Sequence, residues 1–163
     1  MSHYEIIRAT KEHALMLAGE MREADVDELW AGLRLKPLNA VLHSLEVTRN
    51  PRAGLADGKV MVMFGVAQHT HLTLTGYPWL LSSRGIHKHA KQFLKQTRFF
   101  LEEMKEEFDL LENFVDARNT QAIRWMKWMG FQIEDPVPWG VDQLPFHRFT
   151  MEGKQWPLSQ LHL

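Results

Sequence analysis

The sequence predicts an α/β (α+β) domain: a single mixed, mostly antiparallel sheet flanked by helices, in the order βααβββαβαββ. Three observations lead there. An Asp57-Gly58 pair joins Ala53-Gly-Leu-Ala56 to the apolar run Lys59-Val-Met-Val-Met-Phe-Gly-Val-Ala67, the strongest hairpin signal in the chain. Phe93, Thr97, Phe100, Leu101, Met104 and Phe108 recur at helical spacing and mark one long amphipathic helix. Leu110 to Asp116 then returns as a strand, Asn119 caps a helix to Met129, and Gly130 takes the left-handed position before Phe131-Gln-Ile133 starts another strand.

The remaining elements fall into place in order. Tyr4 to Ala9 is a short opening strand, and Thr10 caps a helical segment carrying Ala14, Leu15, Leu17, Ala18, Met21 and, further on, Leu29 and Trp30. Pro37 closes the next loop; Asn39 caps a second helix through Ala40, Val41, Leu42, Leu45 and Val47, which Asn50-Pro51 breaks. The run after Gly58 is apolar on both faces, as a mid-sheet strand is. Tyr77 to Ser82 is the next strand and feeds Ser83-Arg-Gly-Ile-His87 and the long helix. A proline-rich turn, Asp135 to Gly140, leads to a last strand from Phe146 to Met151. No repeat or linker interrupts the chain, so residues 1–153 read as one domain and residues 154–163 as a C-terminal tail. That tail holds Trp156-Pro-Leu-Ser-Gln-Leu-His-Leu163, apolar residues outside any predicted element, and reads as a segment that docks on a sheet edge or on another chain.

Composition narrows the function classes. A chain of 163 residues with 45% hydrophobic and 24% charged residues is an ordinary soluble domain. Lys and Arg number 19 against 20 Asp and Glu, so no global basic field points to nucleic acid, which is not an expected partner. The absence of cysteine excludes disulfides, thiolate ligands and a cysteine nucleophile. No apolar run has the length of a membrane span.

The closing helix carries a resemblance. Asn119, Ala122, Trp125, Gly130 and Phe131 match the Asn-x-x-Ala-x-x-aromatic-Tyr-x-x-x-Gly-Phe pattern of the GNAT superfamily of acyl-CoA N-acyltransferases, which the element order also resembles. Met126 stands where that pattern has the tyrosine that protonates the departing CoA thiolate. From Arg84 to Gly153 the chain is similar to a branch of that family, the acyltransferase-like internal virion proteins of short-tailed bacteriophages, which share a basic helix start, an acidic helix end and an Asn-Thr-x-x-Ile-Arg stretch. The resemblance implies a GNAT-like domain over residues 1–153 and a phage product located in the host cytoplasm or incorporated in the virion. It would have weakened or absent catalysis and associate with other virion proteins or with itself through the tail. The alternative is an active acetyl-CoA-dependent N-acetyltransferase acting on an unknown amine.

The family holds acetyl-CoA or CoA by curling a Gln/Arg-x-x-Gly-x-Gly/Ala loop around the pyrophosphate at a helix start. The resemblance places this cradle on Ser82, Ser83, Arg84, Gly85, Ile86, His87 and Lys88, with Leu81 polarising the thioester carbonyl and Asn119 completing the cofactor site. Ser82 replaces the long polar residue and His87 the second small one. His69 and His71 alternate on or just past a strand and are candidate bases, as are Glu46 and Asp116 near element ends; Tyr77 is the candidate acid. Two histidines without a third ligand do not make a metal site, so no metal is expected. The main helix has Arg84, Lys88, Lys91, Lys95 and Arg98 in its first half and Glu102, Glu103, Glu106, Glu107 and Asp109 in its second, opposite to the preference of the helix dipole. Either the basic start awaits an anion, or the run is a solvated face with pairs such as Arg98 and Glu102 at i,i+4. Trp125 and Trp128, at i,i+3, are expected to pack on opposite flanks of the closing helix.

Overall fold

The computed structural model describes residues 1–153; the expected docking tail, residues 154–163, lies outside the described residues. The chain opens with β1 (Tyr4–Arg8) and α1 (Lys11–Glu20), whose start is a capping box. Thr10 Oγ1 accepts from the His13 N–H at 3.3 Å, and His13 Nδ1 accepts from the Thr10 N–H at 3.1 Å. The single long helical segment expected next is in fact two, α1 and α2 (Glu23–Leu33). Met21 and Arg22 are extended, with ψ of 140° and 137°. Met21 bridges to Ser83, and the Arg22 N–H donates to the Ser82 carbonyl at 2.9 Å. A partner sixty residues away thus breaks the helix where local pattern alone would continue it.

Helix α3 (Pro37–Glu46) begins one turn earlier than the expected Asn39 cap, because Pro37 takes the first helical position, where its missing N–H costs nothing. Strands β2 (Arg52–Ala56) and β3 (Lys59–Ala67) form the expected hairpin, with Asp57 and Gly58 at φ of 50° and 80° as a two-residue turn of this hand requires. β3 is buried from Val60 to Ala67 and lies within the sheet between β2 and β4 (Thr75–Ser82). A short 3-10 turn (Arg84–Lys88) leads to α4 (Ala90–Met104), which ends before Glu106, Glu107 and Asp109. The second half runs β5 (Leu110–Asp116), α5 (Thr120–Met129), β6 (Gln132–Ile133), β7 (Val137–Trp139) and β8 (Leu144–Glu152). β7 lies inside the stretch expected to be only a turn: Trp139 stacks on Phe114 with ring centroids 4.6 Å apart, and the backbone pairs with β8. Gly130, at φ 103°, ends α5 as its sequence position indicates.

The sheet runs β1-β2-β3-β4-β5-β8-β6, with β7 also on β8, and is antiparallel except at β4 and β5. The mixed, mostly antiparallel sheet flanked by helices is the fold class the sequence predicts. One core cluster packs Leu17, Val41, Met63 and Leu81 under α1 and α3; another packs Phe93, Leu111, Val115 and Trp125 under α4 and α5. β4 and β5 pair only at Thr75 with Leu110 and Gly76 with Leu111. Beyond that the two strands part, and this splay positions the site.

Close packing at the root of the splay requires Gly76. A Cβ there would lie 2.4 Å from Val66 Cγ1 and 3.0 Å from both Leu111 Cδ2 and Phe108 Cδ1, all in the core. Gly76→Ala is expected to lower stability by roughly 1–3 kcal/mol, read as a shift of the urea midpoint; a midpoint equal to that of the parent would show the strands are free to move apart.

Candidate functional site

The gap between β4 and β5 is built by strand alternation. Along β4 the Pro78 carbonyl accepts from Asn113 Nδ2 of β5 at 3.0 Å, while at the far end the Ser82 N–H and carbonyl both turn to α2. Residues two apart in a strand point their backbone groups the same way, so Leu80, between them, presents its N–H and carbonyl to the gap. Leu81 is in register with Met63, points its backbone to β3 and buries its side chain. The backbone position that faces the gap is therefore that of Leu80, one residue from Leu81.

Beyond the Asn113 bridge the gap opens into a cavity of about 430 Å³ that is largely apolar, bounded by Leu80, Phe114, Met126, Trp139 and Phe149, with Glu28 entering from α2. Met126 thus occupies the wall where the family pattern carries an acidic hydroxyl. Tyr77 borders the same cavity near its root, half-buried, with the ring of His69 4.8 Å away. His69 and His71 lie past the end of β3 on an exposed segment, and His71 borders a separate groove. Glu46 is exposed at the end of α3. Asp116 is buried and engaged by Arg118, whose Nη2 donates to Oδ2 at 2.7 Å. Among the described residues no three His, Asp or Glu side chains gather as a metal set, and no helix is long and apolar enough to cross a membrane.

The end of the gap nearest the expected pyrophosphate loop is filled by a buried polar cluster. Arg22, 7% exposed, donates through Nη1 to Asp25 Oδ1 at 3.1 Å and through Nη2 to Asn119 Oδ1 at 3.2 Å. Its guanidinium carbon sits 5.0 Å from the centroid of Trp125 on α5. Asp25 also accepts from Asn119 Nδ2 at 3.0 Å and from the Ser82 N–H at 3.1 Å. The guanidinium therefore lies between the C-terminal end of β4 and the start of α5. Asn119 is the N-cap residue of α5, as expected, but makes no side-chain cap bond, because its amide is spent on Arg22, Asp25 and Glu28.

The loop residues divide accordingly. Ser82 is held by Asp25 through both its N–H and its hydroxyl; Ser83 caps the 3-10 turn by accepting from the Gly85 N–H at 3.2 Å; Ile86 is buried in the core. Arg84, Gly85, His87 and Lys88 face solvent. Arg98 does not form the pair with Glu102 that the solvated-face alternative offered: it lies over Trp128 at 5.1 Å, and Glu102 accepts from Lys105 Nζ at 3.2 Å. Trp125 is buried and Trp128 exposed, so only the first belongs to the core.

Arg22, Asp25 and Glu28 were not singled out by sequence. One signal was present: Asp25 sits four residues from both Met21 and Leu29, inside the apolar stripe, where a carboxylate needs partners. Burial raises the pKa of Asp25 against the pull of Arg22, Asn119 and Ser82. Burial, then the charge of Asp25, push the pKa of Glu28 from 4.5 up to about 8, although its Oε1 accepts from the Asp116 N–H at 2.8 Å. Both shifts have one sign. Between the unfolded and folded values the native state holds more protons, so the stability these groups contribute is fully present below the unfolded carboxylate values and falls as pH rises, for Glu28 toward about 8. The Glu28 share has a slope on the order of 1.4 kcal/mol per pH unit at its steepest. Glu28→Gln keeps an acceptor for the Asp116 N–H and should flatten that decline in urea titrations at pH 5.5 and 8; an unchanged slope would place its source elsewhere.

No protein-family model matches the sequence, and no curated protein does. Solved structures match along nearly the whole chain. A GNAT-family acetyltransferase from Streptococcus pneumoniae is similar at a TM-score of 0.61 and 13% identity, covering 93% of this chain and 100% of its own. A ribosomal-protein-alanine N-acetyltransferase from Brucella melitensis reaches 0.67 at 13% identity, covering 91% and 99%. An aminoglycoside acetyltransferase solved with coenzyme A reaches 0.63 at 14%, covering 92% and 95%. Identities this low speak for architecture alone. With the element order, the sheet topology and the parting of β4 from β5, they show that the chain has the GNAT acetyltransferase fold.

Proposed function

We propose that this chain is a GNAT-fold bacteriophage protein, a virion, internal virion or assembly component, in which acyl transfer is weakened or lost. The observation that carries the reading is the Arg22 cluster. An acyl-CoA whose pyrophosphate rests on residues 82–88 and whose thioester reaches Leu80 must run its arm between the ends of β4 and β5. There Arg22, Asp25, Asn119 and Ser82 are bonded to one another. Moving Arg22 aside would leave Asp25 buried without its cation, a cost of about 3–5 kcal/mol. The residues present do not fit the arm. Ser82 and Asn119, two of the expected cofactor contacts, are also consumed by this cluster, and Met126 offers no proton to a leaving thiolate.

The phage assignment rests on the resemblance of Arg84 to Gly153, and the partners it suggests are other virion proteins, met through residues 154–163. The chain would be made in the host cytoplasm and carried into the particle. Mass spectrometry of purified particles of the phage that encodes it should detect the chain; its absence would remove the virion role. A chain ending at Gly153 should be lost from those particles, and undiminished incorporation would take the docking role from the tail.

One observation favours a second reading, an active acetyl-CoA-dependent N-acetyltransferase: Glu28 borders the cavity with a pKa near 8, suited to taking a proton from an ammonium. The coenzyme A bound by the aminoglycoside acetyltransferase of the same fold supports cofactor binding in this reading. Calorimetric titration separates the two. With acetyl-CoA or CoA at millimolar concentration the parent chain should give no heat. Micromolar binding that disappears in Arg84→Ala or Gly85→Trp would overturn the non-catalytic reading.

A further inference from the structure

The charge order of α4 finds its explanation on the helix's outward face. Phe93, Thr97 and Leu101 turn inward, which leaves Lys91, Lys95, Phe99 and Glu103 facing solvent. Phe99 is 64% exposed, an apolar ring in the middle of a charged face. The helical path continues one tight turn beyond Met104, since the Glu106 N–H donates to the Glu103 carbonyl at 3.2 Å and the Glu107 N–H to the Met104 carbonyl at 3.1 Å. Glu107 is exposed there. Among the described residues no ion pair engages Lys91, Lys95, Glu103 or Glu107.

These charges are symmetric about Phe99. Lys95 stands four residues before it and Glu103 four after; Lys91 stands eight before and Glu107 eight after. A two-fold axis through Phe99 with two copies of α4 antiparallel sets residue 99+k against 99−k of the other copy. Each Lys95 then meets a Glu103, each Lys91 a Glu107, and the two Phe99 rings meet at the centre. Self-complementarity of this kind defines an isologous contact. The antiparallel arrangement also sets the basic start of each helix beside the acidic, dipole-negative end of the other, removing the conflict each helix has alone.

We infer that the outward face of α4 is a docking surface for a second copy of this chain, with Phe99 on the two-fold axis and Lys91 and Lys95 facing Glu107 and Glu103 of the other copy. The inference does not depend on whether acyl-CoA binds. Exposed pairs are individually weak and screened by salt, so the dimer is weak and salt-sensitive.

The test is sedimentation equilibrium on the full chain at low and high ionic strength, with two charge-reversed variants. The parent should dimerise at low salt and dissociate at high salt. Lys91→Glu with Lys95→Glu makes the face wholly acidic, and Glu103→Lys with Glu107→Lys makes it wholly basic. Each variant alone should bind itself at least about tenfold more weakly than the parent, with a circular-dichroism melt no lower than the parent's, because all four sites are exposed and each reversal agrees better with the helix dipole. Mixed one to one, the two variants should associate again, since every pair across the axis is then opposite in sign. A parent that stays monomeric at low salt, variants that dimerise as well as the parent, or a mixture that does not associate would each overturn the inference. Phe99→Asp gives an independent reading: it should abolish the dimer, and retention would remove the axis from this residue.

Discussion

A sheet that parts between two of its strands must do something with the backbone groups that lose their partners. In this chain the Asp25 carboxylate, paired with the buried cation of Arg22, resolves much of that problem together with the Arg22 backbone. The Ser82 N–H that would pair across the gap goes to Asp25 instead, and the Ser82 carbonyl takes the Arg22 N–H. Arg22 then ties Asp25 of α2 to Asn119 of α5 and covers the face of Trp125. Helix α2, strand β4 and the head of helix α5 meet at the Asp25 carboxylate, which accepts from Arg22, Ser82 and Asn119. The break between α1 and α2 belongs to the same junction, because the backbone of residues 21 and 22 reaches the end of β4 in extended form.

Such a cluster is weak ground for stability and strong ground for geometry. Burying an ion pair costs much of what the attraction returns, and an apolar substitute of similar shape would serve a core equally well. What the cluster secures is position. Every hydrogen bond in it has a fixed direction, so the ends of β4 and α5 hold one separation and one register. An enzyme that admits an extended cofactor arm needs that separation to stay open. Here it is spanned by side chains that satisfy one another, with the apolar cavity behind them and Met126 on its wall.

Much of the architecture was legible because it is local. The Asp57-Gly58 turn, the Thr10 cap, the Gly130 stop and the stripe through Phe93, Thr97 and Leu101 each rest on residues within a turn or two of one another. What was not legible is non-local. No pattern near Met21 announces that Ser83 will hold it extended, and nothing in Asp135 to Gly140 announces that Trp139 will find Phe114 and fold the turn into a strand. Asn119 is the instructive case for the site. Its place at the head of α5 follows from helix rules, yet its side chain turns from the cap to Asp25 and Glu28, partners more than ninety residues earlier. Asp25 alone left a trace, as a carboxylate within an apolar stripe.

The same distinction bears on α4. Its charges are a local pattern, read at once from sequence, but their sense lies outside the single chain. On an isolated helix a basic start and an acidic end oppose the dipole at both termini. The solvated-face reading, with Arg98 joined to Glu102, would have softened the conflict internally. Arg98 lies instead over Trp128, and the pair that does form joins Glu102 to Lys105 within the acidic half. The basic half is left with its charge uncompensated along the helix axis, beside an exposed Phe99. An arrangement that is unfavourable within one molecule and symmetric about an exposed apolar residue is resolved most simply by a second molecule of the same kind, turned end to end.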